Sequence, residues 1–174
     1  MGEIKFPPDV LLLVSILYSQ DKMLDNAVKA LEKEFGNGIL LDYKGIFNKS
    51  DYYNDELGIP IYRRFWRADK LFKRDMLDNV KIRTNKIETV FSEQNKRKFN
   101  LDPGFLSAEN FILATTKNYT HRIYLKNGIY ADLTLIFREK EFKPLDWTYP
   151  DYAEREIREL LRREREEYLR RLRG

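Results

Sequence analysis

Residues 10–17, VLLLVSIL, form a continuous apolar run, the pattern of a strand buried on both faces. Met23, Leu24, Ala27, Val28, Leu31 and Phe35 then recur at helical spacing, with Asp21 placed to cap that helix and Gly36 to stop it. Residues 39–47, ILLDYKGIF, read as a second strand. The chain thus opens as a βαβ unit, and its two strands are expected to be parallel across a right-handed crossover. Residues 48–71 show no period and are rich in Asp, Tyr and Arg, with Pro60 marking a turn or a short edge strand. Met76, Leu77, Val80, Ile87, Val90 and Phe91 predict a helix from about Asp75 to Gln94. A basic connector, 95–99, follows it. Asn100–Gly104 (NLDPG) has the composition of a turn: Asp102 can bond its own backbone, Pro103 fixes φ, and Gly104 can take positive φ.

Residues 111–116, FILATT, read as another buried strand leading into a hairpin across Lys126-Asn127-Gly128. A two-residue turn that pairs Leu125 with Tyr130 would mix polar and apolar residues on both faces. A three-residue loop with a bulge at Gly128 pairs Leu125 with Ile129 and Ile123 with Ala131 instead. One face is then Ile123, Leu125, Ile129, Ala131, Leu133, Leu135 and Phe137. The other sets Arg122 opposite Asp132 and Tyr124 opposite Tyr130. A one-residue slip exchanges the faces, so the pattern selects the second register. Lys143–Asp151 is a loop stiffened by Pro144 and Pro150.

The last segment, 153–173, predicts a charged helix with favourable i,i+4 pairs Glu154–Arg158, Glu159–Arg163, Glu166–Arg170 and Glu167–Arg171. Its narrow stripe is Ile157, Leu160, Leu161, Tyr168, Leu169 and Leu172, with Arg162–Glu167 expected in water. Taken together, the elements predict an α+β fold: a mixed sheet of about five strands, a βαβ start, a C-terminal-half antiparallel hairpin and three main helices. The expected division is a single α+β domain over 1–152 and a helix over 153–174 packed on it or on a partner. If the helix projects, a symmetric partner is the simplest cover for its stripe, which makes a homodimer an expectation.

Composition narrows the function classes. The 174 residues can bury a sizeable core. Absence of cysteine excludes disulfides, thiolate metal sites and a cysteine nucleophile. No apolar run reaches the length of a membrane span, and MGEIKFPPD lacks the form of a signal peptide, so no membrane contact and a cytoplasmic location are expected. Charged residues make up 34% of the chain and glutamine occurs only at positions 20 and 94, which suits a thermophile. The net charge of +4 permits an anionic partner without demanding one.

No catalytic or cofactor motif stands out. Asn48-Lys49-Ser50-Asp51 matches the NKxD pattern that reads guanine, but no glycine-rich phosphate loop accompanies it, so no guanine binding is expected there. Arg63-Arg64-Phe65-Trp66-Arg67 interleaves cations with aromatics, as phosphate contacts and base stacking require; its plainer reading is a loop whose rings dock while the arginines stay wet. Lys81, Thr84, Asn85 and Glu88 form a polar strip on one flank of the second helix. His121 is the only histidine, and it reads as half-buried with its ring nitrogens satisfied by neighbours. Carboxylates are plentiful, but no spacing marks a metal site.

Several segments together, LLLVSILYS, DYYNDELG, NLDPGFLSAENFILATTKNYTHRIYL, GIYADLTLIF and WTYPDY, resemble a prokaryotic, thermophile-rich family known only as a domain of unknown function. The resemblance runs from Leu11 to Tyr152. It implies a single-domain cytoplasmic protein and brings no activity, cofactor or catalytic residue. Some relatives are expected to carry a GTP-binding label, which the missing phosphate loop contradicts.

Two functions follow from the residues. The first is binding of a small anion, a nucleotide or a phosphorylated metabolite, with or without catalysis. Arg63, Arg64, Lys81, Lys117 and Arg122 would meet the charge, and Asn85 would add an amide. Tyr52, Tyr53, Tyr124 and Tyr130 would stack on or orient it, and Asp132, Glu88 or His121 would act as acid or base. The second is a non-catalytic RNA- or protein-interaction module using the 63–67 segment and the terminal helix. Convergence on one concave cleft favours the first, and spread over a convex surface the second. The cleft is expected beside the polar face of the hairpin, bounded by the second helix and the 48–66 segment, with cations outnumbering carboxylates.

Overall fold

A computed structural model describes residues 2–174. Its strands are β1 (Val10–Tyr18), β2 (Gly38–Leu40), β3 (Gly45–Ile46), β4 (Tyr62–Phe72), β5 (Phe99–Leu106), β6 (Asn110–Thr115), β7 (Arg122–Lys126), β8 (Ile129–Arg138) and β9 (Glu141–Pro144). The helices are α1 (Asp21–Phe35), α2 (Asn54–Leu57), α3 (Leu77–Val90) and α4 (Arg155–Arg173). The class is α+β, as the periodicities predict, with nine strands rather than about five. Every strand pairing is antiparallel, in the order β2-β4-β1-β5-β6-β8-β7, with β3 on β4 and β9 on β8.

All nine residues of β1 are buried, because it lies between β4 and β5 with helices over both faces. Val10, Leu12, Val14, Ile16 and Tyr18 pack with α1 and α3 through Leu24, Leu31, Phe35, Val80 and Ile87. Leu11 and Leu13 face the other way and pack with α4 through Ile157, Leu160, Leu161 and Tyr168. Alternation along one strand thus separates two cores.

Four expectations need correction. β1 and β2 do run in the same direction, since both are antiparallel to β4, but β4 lies between them, so the opening unit is split. Residues 62–72, expected to be irregular, are that eleven-residue strand. The sequence RRFWR hid it because its arginines are buried rather than wet: Arg63 pairs with Asp151, and Arg67 bonds Glu164 at 2.9 Å. Arg63, Phe65 and Arg67 share the α4 face of the sheet, so this segment offers no basic-aromatic loop to an RNA. Asn100–Gly104 is not a turn but part of β5, in register with Gly104–Asn100 opposite Leu13–Leu17. Gly104 is needed there for space, since a Cβ would lie 2.6 Å from the Phe111 ring. Asp21, finally, is the first helical residue, and Gln20 is the N-cap.

The hairpin has the expected pairs Arg122–Asp132, Ile123–Ala131 and Tyr124–Tyr130. Lys126 rather than Leu125 pairs with Ile129, so the bulge lies within β7 at Leu125 and not at Gly128 in the turn. Asn127 and Gly128 both take positive φ, so they form the two-residue turn that matches strand twist. The apolar face is not continuous either. An irregularity in β8 between Leu133 and Leu135 moves the strand from one core to the other. Ile129 packs in the α3 core and Leu135 in the α4 core, while Ile123 and Leu125 on the edge strand stay exposed.

The Arg162–Glu167 stretch is not wholly in water, because Glu164 turns inward onto Arg67. Of the four expected intrahelical pairs only Glu167–Arg171 forms; Arg158 reaches across to Glu141. Tyr168 is fully buried, with its hydroxyl donating to the Asp9 carbonyl at 2.8 Å, and Leu169 packs beside it. The stripe is thus covered within the chain as far as Leu169, and Leu172 at its end is exposed.

Glu164→Ala leaves the Arg67 guanidinium buried without its carboxylate. The expected loss is about 3 kcal/mol, whereas Arg67→Met with Glu164→Leu restores most of it. Urea denaturation of the single and double variants measures both values.

Candidate functional site

The sheet opens on one side of β5. β5 pairs with β6 only at Gly104, Phe105 and Leu106, and residues 99–103 diverge from it. Pro103, which has no N–H to give, stands where pairing stops. The free edge at Leu101 is satisfied by α3 instead. The Glu88 carboxylate accepts from the Leu101 N–H, and Lys81 Nζ donates to its carbonyl at 3.1 Å. The polar strip on α3 is thus a substitute strand edge, which explains why Lys81, Thr84 and Glu88 are buried.

Above this gap lies a cleft of about 580 Å³. Its walls come from the segment after β3 (Phe47, Lys49, Ser50, Tyr52, Tyr53), from α3 and β5 (Lys81, Asn85, Glu88, Asn100, Asp102), from the end of β6 (Leu113 to Lys117) with Asp132, and from Tyr149 to Tyr152. Arg63, Leu17 and Arg97 complete it. Of the residues proposed from sequence, Arg63, Lys81, Asn85, Glu88, Lys117 and Asp132 share this cleft, along with Tyr52 and Tyr53. Arg64 does not: it lies on the opposite sheet face and donates to the Leu41 carbonyl at 3.3 Å. Tyr124 and Tyr130 pack edge-to-face at 5.3 Å on the outer hairpin, away from the lining.

Arg122 stands behind the wall and ties three parts of it together. Its Nε donates to Asp132 Oδ2 at 2.8 Å, Nη1 to the Lys117 carbonyl at 3.1 Å and Nη2 to the Tyr149 hydroxyl at 2.8 Å. His121 Nε2 lies 3.3 Å from the same carboxylate oxygen, with its ring stacked on Trp147 at 5.0 Å. Both residues hold Asp132 from outside the cleft.

Most charges on the lining already have partners. Arg97 bonds both oxygens of Glu56 at 2.7 Å and reaches Glu88 at 3.3 Å and Asn100 at 2.6 Å. Lys81 lies 3.5 Å from Asp102, and Lys49 lies 2.7 Å from Glu154. Arg63 is paired with Asp151. Five cations face four carboxylates (Glu88, Asp102, Asp132, Asp151), so the expected excess of positive charge is small. Lys117 is the exception: among the described residues it has no carboxylate partner, and its Nζ sits 5.1 Å over the Tyr52 ring.

Burial pushes the Glu88 carboxyl above its ordinary range; Lys81, the Leu101 N–H and Arg97 oppose the shift without cancelling it. Hydrogen bonds from Arg97 hold Glu56 below its ordinary range. Burial also pushes the Tyr53 and Tyr152 hydroxyls up, so both are protonated at neutral pH. Among the described residues, no group of three or more His, Cys, Asp or Glu side chains could hold a metal ion.

Asn48–Asp51 is a local cap: the Ser50 hydroxyl accepts from the Tyr52 N–H at 3.1 Å, and Asn54 donates to Asp51 at 2.9 Å. Arg97, Asn100, Tyr149, Asp151 and Tyr152 belong to the cleft but were not proposed from sequence. The one signal for Tyr149, Asp151 and Tyr152 is that WTYPDY is dense in aromatic and acidic residues beside a proline, while Asn100 falls in NLDPG and Arg97 in the basic connector, with no mark of their own. Such density also describes an ordinary turn.

The model of one protein family, described as a domain of unknown function (DUF4416), matches residues 8–168. The chain belongs to that family. The DUF4416 match takes in every element from β1 into α4, and with them all the residues that line the cleft. No curated protein and no solved structure matches the chain. No helix among the described residues is long and apolar enough to cross a membrane.

The Glu56–Arg97 pair gives a pH test. The folded value for Glu56 is depressed, so its stabilisation is complete above the unfolded value and lost as pH falls through the folded one. Glu56→Gln is expected to lose about 1–2 kcal/mol at pH 7, with the gap closing in acid. Glu88 titrates in the opposite sense and shares Arg97 with Glu56, so the same comparison in a Glu88→Gln background isolates the Glu56 contribution. Urea melts of the two proteins from neutral to acid pH measure it.

Proposed function

We propose that the cleft binds a small anionic ligand, a nucleotide or a phosphorylated metabolite. The observation that carries this reading is Lys117, the one lining cation without a carboxylate partner, set at a cleft whose other charges are neutralised in place. The volume suits a metabolite-sized molecule, and Phe47, Tyr52, Tyr53 and Tyr149 supply apolar wall with polar tips. Charges paired inside the protein need no reorganisation to receive a ligand, so the net attraction falls to Lys117. Asp132 and Glu88 are the acid–base groups within reach of such a ligand, should it react; His121 acts on the cleft only through Asp132.

The expected outcome is a rise in melting temperature with millimolar uridine monophosphate, ribose 5-phosphate or glycerol 3-phosphate. Occupancy at a hundredfold excess over Kd stabilises by about 2.7 kcal/mol. In a chain of this size that amounts to roughly 5–10 °C. Lys117→Ala should leave the ligand-free protein unchanged and weaken binding about tenfold at low salt. Absence of a shift with every compound overturns the reading.

A further inference from the structure

The polar flank of α3 meets β5 in one corner of the cleft, lined by Lys81, Asn85, Glu88 and Asp102. Lys81 and Asn85 are one helical turn apart, which sets their Cβ atoms about 5–6 Å from each other. Lys81 Nζ lies 3.5 Å from Asp102 Oδ1, and Asn100 donates to Asp102 Oδ2 at 2.6 Å. The Asp102 side chain is still 31% exposed, so its oxygens can accept from a further donor. Asn85 differs from its neighbours on the helix. Lys81 and Glu88 complete the edge of β5, and Thr84 bonds back to the Lys81 carbonyl at 2.9 Å. The Asn85 amide is half-buried on the cleft wall and has no hydrogen-bond partner among the described residues. It serves neither the helix nor the sheet.

Charge decides what this corner accepts. Two cations, Lys81 and Arg97, meet three carboxylates around it, Glu56, Glu88 and Asp102. A phosphate there would lie against Glu88 and Asp102, and a ligand ammonium on Asp102 would lie against Lys81. An uncharged group avoids both repulsions. A hydroxyl also suits the two free side chains together: its oxygen accepts from the Asn85 amide while its hydrogen goes to Asp102.

The corner and the cationic mouth share one wall. Lys117 Nζ stands 5.1 Å over the Tyr52 ring, the Tyr52 and Tyr53 rings are 4.9 Å apart, and Tyr53 lies 5.7 Å from Arg97 Cζ. A molecule lying along the two tyrosines has one end at Lys117 and the other beside the corner. Resting on the reading of the cleft as an anion site, we propose that Asn85 and Asp102 form its second subsite and that the ligand is the phosphate ester of a polyol or sugar. The phosphate meets Lys117, and a hydroxyl at the far end bridges Asn85 and Asp102.

Glycerol 3-phosphate and propyl phosphate share charge and chain length and differ in their hydroxyls. Calorimetry should show the wild type binding glycerol 3-phosphate and ribose 5-phosphate about tenfold more tightly than propyl phosphate. Asn85→Ala should weaken the two hydroxylated compounds about tenfold at low and at high salt and leave propyl phosphate unchanged. Its ligand-free melting temperature should be unchanged or higher, since alanine is the better helix former and no bond of the fold is lost. Asp102→Asn should weaken the same two compounds. Lys117→Ala should weaken all three, and less so as salt rises. If the wild type binds propyl phosphate as tightly as glycerol 3-phosphate, or if Asn85→Ala spares the hydroxylated compounds while Lys117→Ala still weakens them, the subsite is wrong and the anion site stands. If phosphoethanolamine binds more tightly than glycerol 3-phosphate, the corner takes an ammonium and the polyol assignment falls. If Asn85→Ala lowers the ligand-free melting temperature, the amide serves the fold and the proposal likewise falls. If none of the probes binds, the anion site and the subsite fall together.

Discussion

The free edge of β5 is the constraint from which the rest of the site follows. A strand that loses its neighbour leaves N–H and C=O groups that must be satisfied inside the protein. Here Glu88 and Lys81 supply the missing acceptor and donor to Leu101. That fixes the rotation of α3 against the sheet and brings Asn85 to the cleft wall. It also commits a carboxylate to a buried position, which Arg97 then balances while holding Glu56 and Asn100. One gap in the sheet thus generates a chain of charge-assisted bonds from α3 to the segment before β4.

The same gap creates the cavity. Where β5 and β6 pair, Gly104 lets the Phe111 ring lie against the backbone. Where they part, the ends of β6 and β8 carry Lys117 and Asp132 to one wall, while Tyr149–Tyr152 folds back over the sheet as the other. Arg122 locks these walls together through three hydrogen bonds to three different segments. Its role is positional, and the polar face of the hairpin serves the cleft from behind.

The buried arginines of β4 show a second economy. Arg63 and Arg67 are four positions apart and lie on the same sheet face, each with a carboxylate from the C-terminal part of the chain. These pairs fix the placement of the 149–152 segment and of α4 on the sheet. Hydrophobic contact alone would leave both freer to slide, since Leu160, Leu161 and Tyr168 offer a stripe without a register of its own.

Some of this was legible in the sequence. The unbroken apolar run of β1, the helical spacing in α1 and α3, and the separation of faces that selects the hairpin register are local, periodic signals. So was the grouping of Lys81, Asn85 and Glu88 on one helix flank. What sequence could not show is where partners come from. NLDPG carries strong turn chemistry, yet becomes a strand because β1 offers a buried edge and α3 completes the other side. RRFWR reads as a wet loop, yet is central because Asp151 and Glu164, 88 and 97 residues further on, neutralise its arginines. The bulge near Leu133–Leu135 sends one apolar run into two cores, which only the helices above and below the sheet could decide. Period and composition determine which residues are able to be buried; long-range charge pairing and the completion of unpaired backbone decide which of them are.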